Sequence, residues 1–180
     1  MIEEFRTLTI SGLPGSGTST VSKGLQQRLG WEYVNAGMIF RKLANEEGIS
    51  LATLGTRAQT DPSIDQALDR RIVDIARGHT GILIEGRITG WMLHRHGLSA
   101  LKVWLGANAQ IRAKRVAQRE GDAFEIALQD MTEREGSERQ RYKDIHNINI
   151  ADLSIYDLVV DTEKYQPPAV IEQIITRMEV

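Results

Sequence analysis

The sequence contains no cysteine, which excludes disulfides and thiolate metal sites and suits a reducing compartment. Only four prolines are spread over its 180 residues, with no Pro/Ser/Gly-rich linker, internal repeat or low-complexity tract. One domain over residues 1-180 is therefore expected, long enough to bury a substantial core. No apolar run approaches the ~20 residues of a membrane span. The amino terminus, MIEEFRTLTI, is acidic and then strand-like, unlike a secretory signal. A net charge of -2 lacks the excess of basic residues that bulk nucleic-acid binding requires, though not a local basic cleft. The expectation is a cytoplasmic monomer without membrane or nucleic-acid partners. Hydrophobic residues at 41% and charged residues at 26% are ordinary globular values.

The most telling absence is a single lysine. Residues 11-20 read SGLPGSGTST, and Gly12 to Ser19 fit G-x-x-x-x-G-K-[ST] at every fixed position except one, where Thr18 replaces the lysine. That lysine normally meets the β- and γ-phosphates, so its loss asks for another cation. What remains still suits an anion. Gly12, Gly15 and Gly17 let the backbone turn its N–H groups inward, and a helix from Thr18 adds its positive dipole end. Ser19 holds the hydroxyl position that meets Mg²⁺ in such loops. A plain glycine turn between strand and helix is the competing explanation of this stretch alone.

The flanking pattern supplies the context the motif needs. FRTLTIS (Phe5 to Ser11) reads as a buried strand, and STVSKGLQQRLG as a helix stopped at Gly30. WEYVNA is strand-like, and MIFRKLANEEG is a helix closed by Gly48. TDPSIDQALDRRIVDIARG is the clearest helix. Asp61 is its N-cap, Pro62 its first residue, Ile64, Leu68, Ile72 and Ile75 its apolar stripe, and Gly78 its end. GILIEG and ALKVWLGA read as strands, IRAKRVAQREGD and EIALQDMTEREGSERQRYKDIHN as charged helices, YDLVVDT as a last strand and PPAVIEQIITRM as a last helix. Strands alternating with helices predict an α/β fold, a parallel sheet covered on both faces. Ligands of such sheets sit at the carboxyl ends of strands, where the Gly12 loop, Asn35-Ala36-Gly37, Glu85-Gly86-Arg87 and Asp161 would gather.

Three features carry chemistry. Glu85, ending an apolar strand, stands where a carboxylate can hold Mg²⁺ or its water; a solvated strand end would explain a lone Glu equally. Arg87 can grip a second phosphate bidentately. Arg112, Arg115 and Arg119 recur at helical spacing, followed by Arg134, Arg139 and Arg141. Paired surface charges, such as Glu135 with Arg139, are the ordinary explanation of that run. As a closing lid, the arginines would instead stabilise a moving phosphoryl group and supply the charge Thr18 lacks. His79, His94, His96 and His146 are scattered and lack metal-ligand spacing. Trp31, Trp91 and Trp104 read as packing residues.

These segments, in this order, resemble nucleoside monophosphate kinases, specifically the archaeal type of cytidylate kinase. The likeness runs from about Leu8 to about Ile174. It rests on GLPGSGTST, VNAGMIFRKLANEEG, DPSIDQALDRR, ILIEGRITGWM, IRAKRVAQREG and SERQRYKDIHNINIADLSIYDLVVDT. The archaeal branch often carries threonine in place of the loop lysine.

The resemblance implies a P-loop kinase fold with a five-stranded parallel sheet, nucleotide-binding helices over about 36-78 and an Arg-rich helical lid over about 108-150. It implies that Gly12, Leu13, Pro14, Gly15, Ser16, Gly17, Thr18, Ser19 and Thr20 hold the phosphates of ATP, with Ser19 near Mg²⁺. Gly37 and Arg41 would line the acceptor site, Arg87 would bind the acceptor phosphate, and Asp157 would lie near the acceptor's ribose and base. One position departs from the family pattern: Met38 stands where an acidic residue is usual, which bears on acceptor choice. The implied reaction moves the γ-phosphoryl group of ATP to CMP, and to dCMP. Two alternatives stand beside it: the same reaction on UMP or AMP, or a nucleotide-binding module without transfer.

Overall fold

The structure is a computed structural model that describes residues 6–179. Met1 to Phe5, and so the first residue of the strand read as FRTLTIS, lie outside the described residues. Five strands form one parallel sheet: β1 (Thr7–Gly12), β2 (Glu32–Asn35), β3 (Ile82–Glu85), β4 (Leu101–Gly106) and β5 (Leu158–Asp161), in the order β2-β3-β1-β4-β5. Between β1 and β2 runs α1 (Thr18–Leu29), and between β2 and β3 run α2 (Ala36–Glu46), α3 (Leu51–Ala58) and α4 (Pro62–Gly78). The short α5 (Thr89–Arg95) precedes β4. Then come α6 (Ala109–Glu120) and α7 (Phe124–His146), and after β5 the closing α8 (Pro167–Met178).

Strand alternation divides the core into two layers. In β3, Ile82 and Ile84 face α2, α4 and α5, while Leu83 faces the layer of Val21 and Leu25 from α1 and Val170 and Ile174 from α8. Central strand β1 shows Leu8 and Ile10 to that second layer and Thr7, Thr9 and Ser11 to the first. A buried hydroxyl needs a partner, and α5 supplies two: Thr89 Oγ1 lies 3.3 Å from Ser11 Oγ, which also accepts from the Gly90 N–H.

Two short helices depart from the sequence reading, which left α3 and α5 unassigned. Each is too brief for an apolar period to declare itself, and each carries an interior glycine, Gly55 and Gly90. The long helix is as expected: Asp61 caps α4 by accepting from the Ser63 N–H, with Pro62 in its first turn. Among the described residues, no helix is long and apolar enough to cross a membrane.

Candidate active site

All five strands are parallel, so Gly12, Asn35, Glu85, Gly106 and Asp161 end on the same edge of the sheet. Two cavities open there. One, of about 390 Å³, lies over Gly15 to Val21 and is rimmed by Arg115, Arg119, Thr162, Tyr165 and Pro167. The other, of about 780 Å³, lies between the helices α2 to α4 on one side and α7 on the other. Both are lined by Gly15, Thr18, Ser19 and Arg119, so they meet at the glycine loop.

The loop is built for close approach. Gly15 has φ +79° and Gly17 φ +89°, values that favour glycine, and a Cβ on Gly15 would stand 2.5 Å from the carbonyl oxygen of Arg112. Gly17 gives α1 no side-chain cap, so the first-turn N–H groups face the cavities without an intrahelical acceptor. The buried Ser16 Oγ has no partner.

Glu85 lies at the floor, 4% exposed. Its Oε1 accepts from Thr18 Oγ1 and from Ser19 Oγ, each at 2.7 Å. Its Oε2 accepts from Asn35 Nδ2 at 2.8 Å and from the Tyr33 hydroxyl. Burial, followed by this bond and the carboxylate charge, pushes the Tyr33 hydroxyl up to about 12. Ser19 thus offers a hydroxyl oxygen at the loop with the buried Glu85 carboxylate behind it, hard-oxygen chemistry that suits Mg²⁺. Asn35 has a second role: its Oδ1 accepts from the Gly37 N–H and caps α2.

The three arginines of α6 separate into different environments. Arg112 is 4% exposed, and each of its three guanidinium nitrogens donates within the protein. It donates to the carbonyls of Ala107 and Pro14 and pairs with Glu135. Arg112, expected as a lid arginine, here fastens α6 and α7 to the loop. Arg115 donates to the carbonyls of Gly15 and Thr162 and to Thr162 Oγ1, joining the loop to the β5–α8 turn at the rim of the smaller cavity. Of the three, Arg119 alone reaches both cavities, and it pairs with the exposed Glu120.

On the side of the larger cleft, Arg87 donates to the Gly12 carbonyl at 3.3 Å and to Glu138 at 3.1 Å. Gly37 and the exposed Arg41 line the same cleft. Met38 is 56% exposed and does not line it, so the position that departs from the family pattern faces solvent.

Asp157, expected near the acceptor's ribose and base, sits elsewhere. It precedes β5, at the amino edge of the sheet, where it accepts from the Lys102 N–H at 2.7 Å and pairs with Lys102 Nζ at 2.9 Å. That edge is opposite the loop, so Asp157 pins two strands and lines neither cavity. Asp161 is on the correct edge but closes a turn, accepting from the Glu163 N–H.

Sequence reasoning did not single out Asp65 as part of the site. Buried at 4% exposure, it lines the larger cleft with Arg141, which is half-buried. Arg141 Nε and Asp65 Oδ2 are 3.5 Å apart, a charge contact without hydrogen-bond alignment, and both atoms lack a hydrogen-bond partner. Burial raises the Asp65 carboxyl, against the charges of Arg141 and His146. The only signal in the sequence was an acid on an apolar helix face.

The sheet order, the glycine loop feeding α1 and the two cavities meeting there define a P-loop kinase fold. A shikimate kinase from Bacteroides thetaiotaomicron shares it, with a TM-score of 0.64 and 10% identity over 97% of this chain and 98% of that one. The chain itself belongs to the cytidylate kinase-like family, whose model matches residues 7–164. It is 48% identical to a cytidylate kinase of Methanococcoides burtonii over 88% of each chain. It is 45% identical to one of Pyrococcus abyssi, over 91% of this chain and 88% of that one.

Proposed function

We propose that this chain transfers the γ-phosphoryl group of ATP to CMP or dCMP, giving ADP and CDP or dCDP. The observation that carries this reading is the junction of the two cavities at Gly15, Thr18, Ser19 and Arg119, which suits two nucleotides meeting phosphate to phosphate.

ATP occupies the smaller cavity. Its phosphates rest on the loop N–H groups and the end of α1, and its base lies by Tyr165, an aromatic left 45% exposed beside Pro167. The monophosphate occupies the larger cleft, with its phosphate held by Arg87, Arg41 and the backbone at Gly37. An acceptor oxygen attacks the γ-phosphorus, the bond to the β,γ-bridging oxygen breaks, and ADP leaves with that electron pair. No side chain has to take a proton, because the acceptor phosphate has a second pKa of about 6 and is ionised near neutrality.

Ser19, with the Glu85 carboxylate behind it, would hold Mg²⁺, and the ion would supply positive charge against the phosphates. Thr18 donates to Glu85 without cancelling its charge, and Arg119, at the junction, provides the cation a loop lysine would have supplied.

The test is ADP release with Mg-ATP and each of CMP, dCMP, UMP, AMP and GMP, beside a control without acceptor. Preferential turnover of CMP and dCMP, with weak hydrolysis in the control, is expected. Confirmed ATP binding with no turnover of any acceptor would mark a binding module and overturn the proposal.

A further inference from the structure

Glu85 answers four donors, and the direction of each hydrogen bond matters. Its Oε1 takes the hydroxyl hydrogens of both Thr18 and Ser19 at 2.7 Å. A hydroxyl has one hydrogen and two lone pairs, so both loop hydroxyls have spent their donor. Both residues line both cavities, and what their hydroxyls keep for a ligand is lone pairs. An ionised phosphate oxygen only accepts and finds no hydrogen there. A cation finds ready oxygen ligands.

This arrangement depends on how the far oxygen of the carboxylate is held. Oε2 accepts from Asn35 Nδ2 at 2.8 Å and from the Tyr33 hydroxyl. The Tyr33 oxygen itself accepts from Asn35 Nδ2 at 3.4 Å, which directs its one hydrogen to Glu85. Asn35 stands beside Glu85 in the β2–β3 register, and Tyr33 lies two residues earlier on the same face of β2. The Tyr33 ring packs with the layer of Leu25 and Leu83, so the hydroxyl reaches Glu85 on a rigid body. Tyr33 lines neither cavity, so it can touch no ligand there and acts through Glu85.

We propose that Tyr33 is a positioning residue of the glycine loop: it locks the Glu85 carboxylate so that Thr18 and Ser19 donate to it and turn their lone pairs towards a Mg-bound triphosphate. The identity of that ligand rests on the kinase reading given above. An unlocked carboxylate can rotate about its last bond. The Ser19 hydrogen is then free to point at the phosphates, and its oxygen is no longer aimed at the cation. A tyrosine that only braced β2 against β3 would change stability and leave the two forms of the nucleotide equally affected.

The experiment measures ATP affinity by titration calorimetry, with and without Mg²⁺ and with no acceptor, for the wild type and Tyr33→Phe. Phenylalanine keeps the ring and removes the hydroxyl. Affinity for Mg-ATP should fall about tenfold, the low end for partners that orient a metal ligand, while affinity for Mg-free ATP stays within about twofold. In a Glu85→Gln background the same change should add nothing, because the carboxylate it locks is gone.

Parallel weakening of Mg-ATP and Mg-free ATP would mark a structural brace and overturn the assignment. So would wild-type affinity for Mg-ATP in Tyr33→Phe, or a loss fully additive with that of Glu85→Gln. If Tyr33→Phe does not fold, Tyr33→Met, also without a hydroxyl, takes its place in the same comparison. A wild type that turns over no monophosphate would defeat the kinase reading alone, since the calorimetry needs no acceptor and still decides Tyr33. A wild type that binds no ATP would defeat both.

Discussion

Thr18 donates its Oγ1 hydrogen to Oε1 of Glu85 at 2.7 Å, so the residue in the lysine position is bonded to the carboxylate ending β3. A lysine there would place an ammonium against Glu85. Threonine gives a hydrogen bond and leaves the carboxylate its charge. Glu85→Gln keeps the shape and removes that charge. We expect kcat to fall about 100-fold or more, as for other groups that stabilise developing charge, with smaller changes in KM. Steady-state kinetics at saturating Mg-ATP would check it, and an unchanged kcat would remove Glu85 from the reaction.

Arg119 and Arg112 lie on one helix and should fail in different ways. Arg119→Ala is expected to lower kcat by about 10³-fold, the low end for an arginine serving phosphoryl transfer, with no change in urea midpoint. Arg112→Ala leaves Glu135 half-buried beside the loop without its partner, and should cost about 3 kcal/mol of stability. Urea denaturation paired with kinetics separates the two. An Arg119→Ala enzyme at full speed would send the search for the missing cation elsewhere.

Gly15 meets two demands at once, its φ of +79° and the Arg112 carbonyl that a Cβ would approach to 2.5 Å. Gly15→Ala should destabilise by on the order of 1–3 kcal/mol and weaken ATP binding, since the loop must shift off α6. A chemical melt and an ATP titration would show it; wild-type values in both would mean the loop tolerates the methyl.

Tyr33 predicts a dependence on alkaline pH. Its hydroxyl is raised from 10.0 to about 12, first by burial and then by Glu85. The folded chain therefore keeps this proton where the unfolded chain has lost it. The stabilisation is complete below about pH 10 and is lost as pH rises towards 12. The stability gap between wild type and Tyr33→Phe should shrink across that window. Melting both at pH 9, 10 and 11 would measure it, and a gap independent of pH would contradict the coupling.

What could be read in the sequence was local. The glycine loop, the capped α4 and the strand-end acid at Glu85 each announce themselves within a dozen residues. Arg112 looked like one more residue of a charged helix face, because its partners Pro14 and Glu135 are remote in sequence. Asp65 and Arg141 meet only once α4 and α7 close on the cleft, so their pairing carried no signal in the sequence. Asp157 was placed through resemblance to a family. Its position before β5, where the chain enters the sheet, puts it on the edge that ligands do not use.

One helix braces the glycine loop and the larger cleft together. On α7, Glu135 reaches Arg112 under the loop, Glu138 reaches Arg87, and Arg141 reaches Asp65. They occupy successive turns of an uninterrupted 23-residue helix, which acts as a common rail. Deleting one residue between Glu135 and Arg141 would swing everything beyond it by about 100° and put donor and acceptor contacts out of register together. The rail admits no piecemeal adjustment.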